Sequence, residues 1–213
     1  MTKFTIFILS LFIATTIHAQ QEPIDGVDAR SNPAEFAKGL GSTDPQVRQK
    51  SAEALAKLAA TDQRKLVEGY QLQEKNKEVR LALEWALYRM GKAEALYSIV
   101  KDLDSGRQQQ AVGYLSELES PDVLYPFLKR ANNAPRINAG LLKVLARIGD
   151  AQTLELVTPF RESHQPYVAE AAEIAHDEIE KCAQAGVHSW LMVYPGPFQQ
   201  FAGARVSHLR QAR

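Results

Sequence analysis

In 213 residues, 25 Lys and Arg face 25 Asp and Glu, so the chain has no net charge and lacks the basic excess that marks most nucleic-acid binders. A single cysteine, Cys182, excludes an internal disulfide framework and argues against a thiolate metal cage. The length suffices for one domain with a sizeable core.

In chain order, Lys3 comes first and supplies a positive start. Phe4 to Ile17 is a mostly apolar run, short for a membrane span, and His18-Ala19 offers a small residue for cleavage before Gln20. This is the layout of a secretory signal peptide over residues 1–19. The expectation is an exported protein, periplasmic or extracellular, with no membrane span after the signal is removed. Removal takes one Lys and no acid, leaving 24 cations against 25 anions. Residues 20–31 read as a polar linker, with Pro23 and Gly26 and no period.

Asn32-Pro33 starts a helix, because Asn can cap and Pro fits the first turn. From there to about residue 183 the helical period hardly lapses. It breaks only at short turn clusters such as Gly41 to Pro45, Asp104-Ser105-Gly106, Ser120-Pro121 and Gly149-Asp150. No strand-like alternation competes with it.

The apolar pattern repeats. From Val47, offsets of +8 and +11 give Leu55 and Leu58. From Val79 they give Leu87 and Met90, from Arg107 Leu115 and Leu118, and from Ile137 Leu145 and Ile148. A weaker fifth copy starts near Val168, with Ala172, Ala175 and Ile179 inward. Between them lie partner helices with the pairs Leu66/Tyr70, Leu96/Val100, Leu124/Leu128 and Leu154/Thr158, with Val157 expected to do the burying in the last. Offsets of +8 and +11 return to one helix face. A helix pair with one such face cannot close its own core, so it stacks on the next pair. The spacing therefore predicts an all-α fold: an α-solenoid of about five antiparallel helix pairs, over residues 33–60, 62–90, 92–119, 121–148 and 150–183.

Asp44-Pro45-x-Val47-Arg48, followed by Ala52, Ala54 and Leu55, resembles the HEAT repeat, and the period near 30 resembles the short repeats of the phycobilin-lyase HEAT-like group. The resemblance covers about 150 residues. It implies a superhelix whose second helices line a concave face. It also implies a ladder, with Asp in the turn and Arg early in the second helix bonding neighbouring turns. Asp44, Arg48 and Arg80 match that pattern. Asn76 stands where the second copy would have Asp, the third copy has Arg107 at the Val position, and the fourth has Arg136 before Ile137, so the ladder is expected to be irregular.

One helix, 77–90, carries two apolar stripes. Beside the inner stripe, Leu81, Trp85 and Tyr88 form a second at i, i+4, i+7. A helix apolar on both sides is buried on both or offers one to a partner. The equivalent positions one repeat on, Gln109, Gly113 and Ser116, are small or polar and leave room. One reading is a partner-binding groove centred on Trp85 and Tyr88, with Leu81 in its wall, Arg89 and Gln109 at its rim and Gly113 as its opening. The other is that Trp85 fills space between repeats.

Other candidates read as structural. Glu173, His176 and Glu180 share a helical face, but metal-binding bundles draw such spacing from several helices and no second copy occurs. The same absence argues against the di-iron HEAT-repeat hydroxylases. No Gly-x-Ser-x-Gly elbow or Gly-rich phosphate loop is present. Cys182 reads as a buried side chain near the end of the last helix rather than a crosslinking thiol. Residues 184–213, with Pro195-Gly196-Pro197, three Arg and no Lys, Asp or Glu beyond Gly186, read as a disordered tail.

The expected function is non-catalytic: a monomeric scaffold that binds a protein or peptide, with no nucleic acid and no cofactor. This rests on fold analogy. The lyase resemblance implies the alternative, an enzyme attaching a bilin to cysteine, but such lyases act inside the cell and the export signal speaks against that.

Overall fold

A computed structural model describes residues 32–130 and 132–193, with residues 185–193 described by backbone alone. The proposed signal (1–19), the linker (20–31) and residues 194–213 of the tail lie outside the described residues. Within them all regular structure is helical. The helices are α1 Pro33–Gly39, α2 Pro45–Lys57, α3 Arg64–Gln73, α4 Lys77–Arg89, α5 Ala95–Lys101, α6 Gln108–Leu115, α7 Tyr125–Leu128, α8 Pro135–Ile148, α9 Ala151–Val157 and α10 Pro166–Val193, with short 3-10 segments between some of them.

The starts follow local chemistry. Asn32 accepts a hydrogen bond from the Ala34 N–H at 3.0 Å, Asp44 from Gln46 at 2.8 Å and Asn76 from Val79 at 3.0 Å, each satisfying a donor the first turn leaves free. Asp150 and Thr153 cap α9 reciprocally.

Adjacent helices pack as an α-solenoid. Of the even-numbered helices, α2 lies along α4 and α8 along α10, and these are the most extensive contacts in the molecule; α6 touches α4 and α8 more lightly. Helices α1, α3 and α9 back onto α2, α4 and α10. The core runs continuously through the stack, with Leu55, Leu83, Ile99, Leu115, Leu141 and Ala172 each fully or almost fully buried. Each buried Leu or Ile contributes roughly 1.5–3 kcal/mol.

The structure corrects several details of the periodic reading. Val47, the origin of the first copy, is 42% exposed, because the two-turn α1 is too short to cover the start of α2. Leu66 is also 42% exposed; α3 turns its neighbour Val67 inward instead. The helix expected around Leu124/Leu128 is a 3-10 segment, Pro121–Leu124, followed by the single turn α7. Pro121 and Pro126 each remove a backbone donor there. Helix α10 does not stop at 183 but runs on to Val193, the last described residue, because one Gly at 186 does not end a helix. Cys182 is exposed, not buried.

The turns are tied across repeats with a changing cast. Arg48 grips Glu74, before α4, through Nε at 2.7 Å and Nη2 at 3.0 Å, and donates Nη1 to the Ser42 and Thr43 carbonyls. Arg80 donates to the Glu74 carbonyl at 2.9 Å, and Glu74 accepts from the Asn76 N–H. The Arg48 guanidinium holds the Glu74 carboxyl below its ordinary range. The Asp44 side chain caps α2 and does not meet the Arg48 guanidinium; the two residues are joined only by the backbone bond from the Arg48 N–H to the Asp44 carbonyl. Further on, Gln110 bonds the Glu78 carbonyl at 3.0 Å and Gln108 the Arg136 carbonyl at 3.2 Å.

Candidate functional site

The even-numbered layer has two seams. Across α4 it is closed. Leu81 is fully buried and Trp85 only 2% exposed. The indole is stacked between Tyr88 on its own helix, centroids 5.6 Å apart, and Tyr114 from α6, at 5.7 Å with the rings almost parallel. Arg89 places its guanidinium carbon 5.7 Å from the same indole. Tyr114 then passes α4 altogether: its hydroxyl donates to Glu53 of α2 at 2.5 Å and accepts from Gln110 at 2.9 Å. Burial, reinforced by the Glu53 carboxylate, pushes the Tyr114 phenol well up, and burial likewise raises Tyr88 and Glu117.

Leu81 and Trp85 are therefore covered by the chain itself and present no surface to a partner. Gly113 does leave room, but Tyr114, the residue after it, fills the space over Trp85. Of the six candidate groove residues, Trp85, Tyr88 and Arg89 are brought together, but the six do not form one open surface. Tyr88 and Arg89 line a concavity at the C-terminal ends of α4 and α6 with Leu118 and Val123. Gln109 is exposed on another surface, and a Cβ at Gly113 would meet nothing within 4 Å.

Across α8 the layer is open. Two adjoining concavities, of about 430 and 760 Å³, share Gln108, Lys143 and Ile174 and form a trough with α8 as its floor. From α8 come Arg136, Ala139, Lys143, Ala146 and Arg147, at the spacing of one helical face. One wall is α6, with Gln108, Gln109 and Val112. The other is α10, whose Tyr167, Ile174, Glu178 and Cys182 also follow a single stripe. Ile174 is 52% exposed and Tyr167 43%. From Tyr167 to Cys182 the α10 wall is roughly 22 Å long at helical rise.

Gly140 sets the height of this floor. It lies on the rear of α8, where a Cβ would come within 2.9 Å of the Leu103 side chain, so α8 sits tight against the 3-10 segment Asp102–Asp104. The trough combines cations, side-chain amides and exposed apolar surface, which is recognition chemistry. Its cations and alternate apolar residues read in the sequence as an ordinary solvated face, and only the exposure of Ile174 on an otherwise regular stripe departs from that.

The remaining candidates are occupied locally. Glu173 is held by Arg161 in a two-point fork, and His176 lies 3.9 Å from both Asp177 and Glu180. Among the described residues no group of three or more His, Cys, Asp or Glu is arranged to hold a metal ion. Tyr97, 55% exposed, is shielded by Arg130, whose guanidinium lies 5.1 Å from it and 4.8 Å from Phe127. No helix among the described residues is long and apolar enough to cross a membrane.

No protein-family model matches the chain, and no curated protein does. Among solved structures it is similar to an engineered protein from the Northeast Structural Genomics Consortium at 21% identity, over 71% of this chain and 80% of that one, with a TM-score of 0.35.

Proposed function

We propose that the chain is an exported, non-catalytic, HEAT-like scaffold that docks a segment of a partner protein in the trough over α8. The observation that carries this is the exposed pair Ile174 and Tyr167, which stand together over a concave floor. Stacked helices supply a stiff frame on which such a stripe stays ordered without a partner. The Trp85 cluster belongs to that frame and not to the docking surface.

In-cell photo-crosslinking from Cys182, which borders the trough, tests the proposal. A defined partner should crosslink to the native chain and to the control Leu72→Arg, which lies away from the trough, and should be lost in Ile174→Arg. Equal crosslinking in Ile174→Arg, or a chromophore or metal co-purifying in stoichiometric amount, would overturn it. N-terminal sequencing of the chain recovered from an envelope or culture fraction tests export, with Gln20 as the expected first residue.

A further inference from the structure

We infer that the segment seated in the trough is an acidic amphipathic helix; this rests on the docking function proposed above and names its occupant. The first observation is charge. The chain as a whole is neutral, yet the trough presents Arg136, Lys143 and Arg147 along one face of α8. Among the described residues neither Lys143 nor Arg147 has a carboxylate within ion-pair distance. Arg147 reaches only the Ser116 hydroxyl, at 3.4 Å, and Arg136 is 3.8 Å from Asp104. Two acids face the same space, Glu170 and Glu178, and Glu178 is already held by Lys181 at 2.9 Å. Arg136 is thus partly answered by Asp104, and the cations left without a carboxylate are Lys143 and Arg147, against Glu170 as the one acid of the trough not held by a neighbouring cation.

The second observation is spacing. The cations at 136, 143 and 147 lie roughly 10 and 6 Å apart along α8. Carboxylates at i, i+7 and i+11 on a helix lying along α8 have the same separations. One face of a strand repeats every 7 Å or so and cannot meet both. Beside the cations, Ile174 and Tyr167 on the α10 wall offer exposed apolar surface, so the matching segment has an apolar stripe flanked by acids, the helix-in-groove mode.

The same charge argument disfavours this chain's own C-terminal stretch as the occupant. Residues 186–213 contain Arg205, Arg210 and Arg213 and no acid, so they would place like charge against Lys143 and Arg147.

The test uses the purified chain from Gln20 to Arg213 and three dye-labelled 14-residue helical peptides. One carries Leu at i, i+4, i+7 and i+11 flanked by Glu, the second has Lys for every Glu, and the third has Ser for every Leu. Fluorescence anisotropy should show the Glu/Leu peptide binding at least about tenfold more tightly than either other, and weakening as salt rises. It should weaken at least about tenfold again in the double variant Lys143→Glu, Arg147→Glu. Both side chains are exposed, so the double variant should keep its circular dichroism and melting temperature. The bound peptide should also slow modification of Cys182 by a maleimide.

Tighter binding of the Lys/Leu peptide, with Cys182 protected, would overturn the acidic occupant while leaving the trough a docking site. Failure of all three peptides to protect Cys182 would overturn this inference; the in-cell crosslink then decides the docking function separately. A dimer in sedimentation that the double variant abolishes would make a second copy the occupant and overturn it too.

Discussion

The seam across α4 and the seam across α8 are built from the same kind of helix in the same layer, yet one is shut and the other open. The difference comes down to one side chain. Tyr114 leaves α6, lies flat on Trp85 and ends on Glu53 two repeats away, closing the surface above α4. Towards α10, the α6 side chains that meet α8 are Gln108, Gln109 and Val112, none long or apolar enough to cover it. An aromatic of the type favoured at interfaces is thus consumed internally where the fold supplies its partner. Exposed surface remains where ordinary residues face one another.

The largest way to break the comparison is Trp85→Ala. It removes a fully enclosed ring and two stacking partners and should cost about 3–5 kcal/mol in urea unfolding. A loss below about 1 kcal/mol would mean that the indole is exposed and the α4 seam open.

Gly140→Ala probes the opposite seam from behind. The added methyl presses on Leu103, lifting α8, and should cost about 1–3 kcal/mol despite the better helix propensity of Ala. A gain in stability would show that the floor of the trough is not pinned.

Arg48→Ala acts at the turn that ties the first two repeats. With side-chain exposures of 18% and 8%, the Arg48–Glu74 pair is largely enclosed, and its loss should cost about 2 kcal/mol at neutral pH. Glu74 has a folded-state pKa below its unfolded value. Its contribution is therefore present above the unfolded pKa, about 4.3, and is lost as pH falls through the lower folded value. The stability difference between native and Arg48→Ala should shrink over that acid range, as melting curves would show, and a constant difference would remove the ion pair from the explanation.

Tyr114→Phe keeps the stack and deletes the bond to Glu53. About 1–2 kcal/mol of destabilisation should follow, with the double variant Tyr114→Phe, Glu53→Gln less than additive. Full additivity would mean that the two groups do not meet.

The smallest effect is expected within α6. Gly113→Ala adds a methyl to empty space within a helix and should stabilise by about 0.5–1 kcal/mol in the same unfolding measurement. A loss of stability would mean that the space beside Gly113 is filled.

By itself, the sequence determined the helical architecture. A period of 3.6, repeated at about 30 residues and punctuated by Asn32, Asp44, Asn76 and Asp150 as caps, is local information, because capping and face spacing act within a few residues. The double stripe of α4 was equally legible as an oddity. Only the tertiary structure decided what became of it, since whether Leu81 and Trp85 are covered depends on Tyr114, distant in sequence and adjacent only after stacking. The same holds for Arg48, whose partner Glu74 lies 26 residues away, and for the trough, where Gln109, Lys143 and Ile174 meet from three helices. Burial depends on what other segments bring to a surface, and a helical period records which residues share a face without recording what comes to lie against it.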